Sequence, residues 1–549
     1  MGPETNIHSI RALEKQIMEG NGDIIKLKRT RNSMLNISAR VPPEILGEIF
    51  VLNLVRDVGR SLHCSEQFEG LQRGSHNFLL VCHHWFQIAS HTPELWSFWG
   101  NTLQDWKKYH RRWTGATPLD LVLDWHGCDA QVLFDGSLQD AVRIGVMRDT
   151  IRQIHLASNE GVILSSIISS LTPNDKSARN ENIESIVWQQ RGLSPIDVSD
   201  FFARSLLSKL RFLELYGNLR ISSWDRLASR TTLLTTLSLD IYNSSPQPVP
   251  TPTISQLLSI LSSNPNLQEL KLTDATLPED ADGSTFQVPL HHLKTLSLSG
   301  EFRHLFGLLR QLTLPETLDE FYLFCSNPTV EEISQKLGPY MWDYFRCGTR
   351  FQDRLEISSY SDTLIVSISV APACQSEALV LLQMISNGRL PPEVIERLLI
   401  NLITPIPRGC VVFFEANTDT KLPEELYFMM PKIEKVKILN VELSEGFLQP
   451  NPDGPHANMK FFPSLRSLRL EDFDADDGNW GHLIAYLTHQ TSGGQMISLE
   501  VVGDPPCVPP GVVNEVEALV KEFTYHQDLK TEDGGSLSGS GCSTHEEGE

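Results

Sequence analysis

The chain has 549 residues, 40% of them hydrophobic and 21% charged, the balance of a protein that buries a sizeable core rather than of a wholly disordered one. Its formal net charge of -22 is uneven, because residues 1–113 hold 14 Lys and Arg against 11 Asp and Glu and leave the excess of acid to the remainder. An acidic body repels phosphate backbones and anionic lipid, which excludes nucleic acid and membrane as main partners and favours basic protein surfaces.

Nine cysteines are scattered without a C-x-x-C pair, and the start MGPETNIHSIRALEKQ lacks the apolar core of a secretory signal. A reducing compartment is expected, cytoplasmic or nuclear. The most apolar windows, such as VILSSIISSL, are too short and too serine-rich to cross a bilayer. MGPETN carries Asn where a myristoylation signal wants Ser or Thr.

In residues 1–38, Ile10, Leu13 and Ile17, then Ile24, Leu27 and Leu35, stand at helical spacing, with GNGD at 20–23 as a break. The spacing predicts two short amphipathic helices or one interrupted arm, with KLKRTR as solvated helix charge. In ARVPPEILGEIF the prolines suit the first helical positions and predict onset at 42 or 43, with Ile45, Leu46, Ile49 and Phe50 on one face. The run FLLVCHHWFQIAS, read as a helix, puts Phe78, Cys82, Trp85 and Ala89 on one stripe flanked by Val81 and Ile88. His83 and His84 point away from it, and His91 is seven residues past His84, so no pair has the i, i+3 or i, i+4 spacing that chelation needs. No metal and no cofactor are expected. In HTPELWSFW, Thr92 can cap and Pro93 can open a third short helix carrying Leu95 and Trp96. Three short helices crowd apolar residues into about sixty positions, either for self-packing alone or, because a unit this size seldom hides so much, for docking on a partner.

These residues resemble an F-box: VPPEILGEIF matches the first helix of that motif, LVCHHW its Val-x-x-x-Trp helix and PELW its closing Leu-Trp. Val41 stands where the family usually has Leu, and the segment joining the first two matches is longer than usual. The resemblance implies an adaptor whose helical face binds a Skp-type linker, and through it a cullin. The positions it carries over are Pro42, Pro43, Ile45, Leu46, Ile49, Phe50, Val81, Cys82, Trp85, Leu95 and Trp96. With its N-terminal arm and long remainder, the chain is also similar to the large F-box group of mushroom-forming fungi.

Beyond residue 118 the text repeats Leu-x-x-Leu-x-Leu: LRFLEL at 210, LTTLSL at 234, LQELKL at 267, LKTLSL at 293 and LRSLRL at 465. Looser copies are IRQIHL at 151, IESIVW at 183, LDEFYL at 318 and IEKVKI at 433. From 183 to 318 the starts are 27, 24, 33, 26 and 25 residues apart, within or near the leucine-rich-repeat period, with separate leucine-rich α/β domains as the alternative. Alternation along each strand turns the last two apolar positions to the core and the residues between and after them to the other face. That face would show Glu214, Tyr216, Ser238, Asp240, Lys271, Thr273, Ser297, Ser299, Tyr322, Lys437, Arg469 and Glu471, either a substrate surface or an ordinary solvated sheet. From about 325 to 432 the repeat is hard to follow, although RLEISS, TLIVSISV and GCVVFFEA read as strands.

The expected fold is α+β: a small helical F-box followed by an irregular α/β leucine-rich-repeat horseshoe. The expected organisation is an N-terminal helical arm at 1–38, the F-box at 39–100, a linker helix at 101–117, the repeat-like substrate domain at 118–523 and a disordered tail at 524–549. EDFDADDG at 471 lacks the EF-hand register, and DWKKYHRRW at 105–113 reads as the linker helix rather than a nucleic-acid site. No phosphate-binding loop, dinucleotide fingerprint or G-x-S-x-G elbow occurs, so no enzyme is expected. The leading reading is a substrate-recognition adaptor of an SCF-type E3 ubiquitin ligase with an unknown protein substrate. Its alternative is a leucine-rich-repeat scaffold that docks a Skp linker without delivering substrates.

Overall fold

The computed structural model describes residues 12, 15, 26–28, 30, 41–52, 81, 83–100, 117–125, 148–173, 180–192, 194–241, 251–273, 287–315, 318–326, 328–337, 340, 354–360, 363–369, 379–385, 397, 399–400, 413–418, 432–439, 462–471, 477–492, 497–503 and 510–527. Most of the arm at 1–38, the segment 101–116 and the tail beyond 527 lie outside these. The protein is a mixture of helix and strand with mostly parallel pairing, and it divides into two units, residues 1–300 with 307–315 and residues 301–306 with 316–549.

The first unit begins with a helical group. Helix α1 spans residues 43–52, its first turn closed by the Leu46 amide donating to the Pro42 carbonyl at 3.0 Å. Helix α2 (His83–Ser90) and a 3-10 turn (Pro93–Trp96) follow. Leu46, Phe50, Ile88, Ala89 and Leu95 form a small core, with Val41, Val51 and Trp85 packed on it. The Phe50 and Trp85 rings are 5.0 Å apart and tilted by 55°. Gly47 lets α1 come close to the turn, since a Cβ there would be 2.9 Å from the Thr92 hydroxyl.

The helical group runs directly into a sheet. Strand β1 (Phe98–Gly100) pairs in parallel with β2 (Leu119–Trp125), and the Asp120 amide donates to the buried Ser97's carbonyl at 2.7 Å. Strand β1 therefore belongs to the sheet, which corrects the expected boundary between helical domain and body at residue 100. The ladder continues in chain order through β3 (Ile151–Ser158), helix α3 (Gly161–Leu171), β4 (Ser185–Gln190), β5 (Ile196–Asp197), α4 (Ser199–Arg204), β6 (Phe212–Gly217), β7 (Leu219–Arg220), α5 (Trp224–Arg230), β8 (Thr236–Asp240), α6 (Ile254–Ser263), β9 (Glu269–Thr273), β10 (Val288–Pro289), β11 (Thr295–Glu301) and β12 (Leu312–Thr313). Strands β2, β3, β4, β6, β8, β9 and β11 pair in that order, all parallel, while β5 pairs with β7 and β10 with β12.

Register explains the core. Leu121, Ile154, Ile186, Leu213, Leu237, Leu270 and Leu296 are partners across the strands, as are Leu123, Leu156, Trp188, Leu215, Leu239, Leu272 and Leu298, and all are buried. Each such side chain contributes about 1.5–3 kcal/mol of burial. The helices between strands bury one face each: Ile163, Leu164, Ile167, Ile168 and Leu171 in α3, Leu227 in α5, and Leu257 and Leu261 in α6.

Two local devices hold the turns. Gly217 has φ 102°, and a Cβ there would collide with the Gln190 carbonyl, so only glycine fits. The buried Asn264 accepts from the Leu234 amide at 2.9 Å and donates to the Ile260 carbonyl at 2.8 Å, tying the end of α6 to the strand entry.

The second unit contains β13 (Glu320–Ser326), β14 (Arg354–Tyr360), β15 (Thr363–Ser369), β16 (Leu379–Ile385), β17 (Phe413–Thr418), β18 (Lys435–Ile438), β19 (Ser467–Glu471), helix α7 (Asp477–Thr491), β20 (Ser498–Gly503), helix α8 (Pro510–Leu519) and β21 (Glu522–Gln527). Strand β13 pairs in parallel with β16, β16 and β15 are antiparallel, as are β15 and β14, and β14 is parallel to β17. The antiparallel pairings explain why the leucine spacing fades between 325 and 432: strands joined by a short return need no helical crossover. From β17 to β21 every pairing is parallel again. Strand β21 runs to Gln527, so the boundary expected at 523 falls inside a strand; the half-buried Phe523 and Tyr525 supply its alternation.

Candidate interaction surfaces

Helix α1 is apolar on two faces. At 100° per residue, Leu46 and Phe50 lie on the side that enters the core, whereas Ile45, Ile49 and Leu52 fall within about 60° of one another on a second side. Those three are 46%, 49% and 67% exposed, and Val81 and Phe86 of the same helical group are also exposed. The structure therefore divides the residues expected to bind a linker. Leu46, Phe50 and Leu95 are buried and build the support, which corrects their placement on a contact face: the apolar arc of α1 is wider than its small core can cover. Ile45, Ile49 and Val81 are exposed, Pro42 and Pro43 are exposed at the helix start, and Trp85 is half-buried against Phe50. Cys82 and the surroundings of the Trp96 side chain lie outside the described residues. Leu52 and Phe86 are additions that the sequence reading misses; the i, i+3 step from Ile49 to Leu52 is the available signal.

The second surface is the face of the strands opposite the leucines. In the first unit Glu214, Tyr216, Ser238, Asp240, Thr273, Ser297 and Ser299 are half-buried and Lys271 is exposed. Glu214, Ser238, Lys271 and Ser297 are partners in one register row, and Tyr216, Asp240 and Thr273 in the next. Gln189 donates to Glu214 at 3.3 Å. Farther back in the ladder the same face is covered, with Val122, His155, Ala157 and Val187 buried.

In the second unit Tyr322 is half-buried, its ring stacked with Phe324 at 6.5 Å. Lys437, Arg469 and Glu471 join a chain of charges. Lys437 reaches Glu415 at 3.2 Å and Glu471 at 3.4 Å; Arg469 reaches Glu471 at 2.6 Å and Glu500 at 2.9 Å; His526 lies 3.5 Å from Glu500. Partial burial works against the Arg469 charge, but the Glu471 hydrogen bond and the two carboxylates outweigh it and raise its pKa.

Elsewhere, a groove of about 580 Å³ beside α3 is lined by Ser165, Ser169, Pro195 and Asp197 among others, with no histidine or cysteine among the described residues of its wall. Among the described residues no group of three His, Cys, Asp or Glu is placed to hold a metal ion, and no helix is long and apolar enough to cross a membrane. Comparison with protein-family models and with curated proteins returns no match for this chain.

Proposed function

We infer that the protein is a substrate-recognition adaptor of an SCF-type E3 ubiquitin ligase, acting in the cytoplasm or nucleus without an active site of its own. The helical group docks a Skp-type linker, and through it a cullin, while an irregular leucine-rich-repeat horseshoe captures a protein substrate. The observation that carries this reading is the exposed Ile45, Ile49 and Leu52 stripe, set on a helix whose other apolar face is already buried. An apolar stripe of that kind, left over after the local core is complete, suits a partner that covers it. The direct join between the helical group and β1 supports a fixed geometry between the docking face and the sheet.

The test is binding of the full chain to a purified Skp-type linker, followed by the lifetime in cells of proteins that the chain captures. Linker binding, with captured proteins living longer when residues 39–99 are deleted, is the expected result. No binding to any such linker overturns the reading, and binding without a change in lifetime favours the scaffold alternative.

A further inference from the structure

We propose that the open face of β17 to β21 recognises an extended protein segment in which two basic side chains, four residues apart, flank a carboxylate. The inference gives the substrate its chemistry and rests on the adaptor reading only in calling that segment a substrate.

Glu415, Lys437, Arg469 and Glu500 are partners in one register row across four adjacent strands. Neighbouring strands lie about 4.8 Å apart, so the outer glutamates stand about 14 Å apart with the two cations between them. The order of charge is minus, plus, plus, minus. A segment laid across the strands in extended form presents residues i, i+2 and i+4 on one side and spans about 13 Å between the outer two. Basic groups at i and i+4 then meet Glu415 and Glu500, and a carboxylate at i+2 meets Lys437 and Arg469.

Pairing within the row leaves room for such a partner. Lys437 already holds Glu415 and Glu471, and Arg469 holds Glu471 and Glu500. An ammonium has three N–H donors, a guanidinium five and a carboxylate about four acceptor sites, so these pairs do not use up the capacity of the two cations or of Glu500. Arg469 is 41% and Glu500 32% exposed, while Lys437 at 25% and Glu415 at 14% sit deeper, so the row is held by neighbours in a set geometry and is most open at its Glu500 end. The fold has no need of these charges, because the corresponding row of the first unit includes Ser238 and Ser297. Surface ion pairs add only about 0–1 kcal/mol each. The acidic excess of the chain draws basic segments toward it.

The experiment titrates full-length protein into a fluorescent peptide with an Arg-Thr-Glu-Thr-Arg core and into its charge-reversed counterpart, Glu-Thr-Arg-Thr-Glu, and reads anisotropy. The first peptide should bind about tenfold or more tightly than the second, and Glu415→Gln with Glu500→Gln should remove about that factor. Glu160→Gln with Asp200→Asn, both exposed in the other unit and off its strand face, should leave binding unchanged. Circular dichroism of the first double variant checks that it folds. No binding, equal binding of both peptides, or binding that survives Glu415→Gln with Glu500→Gln overturns the proposal. Ile49→Asp should leave peptide binding intact, so loss of the adaptor reading and loss of this one are separable.

Discussion

The row through Glu214, Ser238, Lys271 and Ser297 in the first unit mixes hydroxyls with single charges, whereas the row through Glu415, Lys437, Arg469 and Glu500 in the second is charged on four adjacent strands before it reaches Thr524. Behind both rows the buried positions are alike: Leu213, Leu237, Leu270 and Leu296 in one, Phe414, Val436, Leu468 and Leu499 in the other. The comparison teaches that the apolar positions carry the fold and leave the alternate positions free to carry recognition.

The largest effect should come from breaking the shared framework. Gly217→Ala forces a Cβ into the Gln190 carbonyl at a positive φ, and should lower the stability of the first unit by more than about 3 kcal/mol in denaturant unfolding. Phe50→Ala empties part of the small helical core and should cost about 3–5 kcal/mol there, read as early loss of helix on heating. On the open face the same measurement should barely move: Ser238→Lys is expected to stay within about 0.5 kcal/mol.

A smaller effect sharpens the account of the second unit. Burial acts to raise the Glu332 pKa, but hydrogen bonds from Arg303 and from the Thr329 amide and hydroxyl outweigh it, and the net shift is downward. A depressed carboxylate contributes stability that is present above the unfolded value of about 4.3 and is lost as pH falls through the folded value. Glu332→Gln should therefore flatten the acid limb of the unfolding midpoint against pH and lower the midpoint modestly at pH 7. Arg303 is mostly exposed, so water screens much of this contribution.

The strands were legible where leucine spacing is regular. Each of the stretches at 151, 183, 210, 234, 267, 293, 318, 433 and 465 forms a strand, because alternation states directly which side chains are buried. Strands β1, β2, β20 and β21 were not singled out, since FWG is too short to show a period and the others lack the preceding leucine step. The pairing of Arg469 with Glu500 is also hidden: it depends on register between strands about thirty residues apart, which no local pattern encodes. On α1 the sequence showed an apolar arc but not its division between core and surface, which depends on how much of it α2 and the 3-10 turn cover.

The most direct measurement is calorimetric titration of a purified Skp-type linker into the full chain carrying Ile45→Asp and Ile49→Asp, beside wild type. Both side chains are exposed, so the variant should fold and unfold like wild type while linker binding disappears. Wild-type affinity in that folded variant would contradict the docking face on which the account rests.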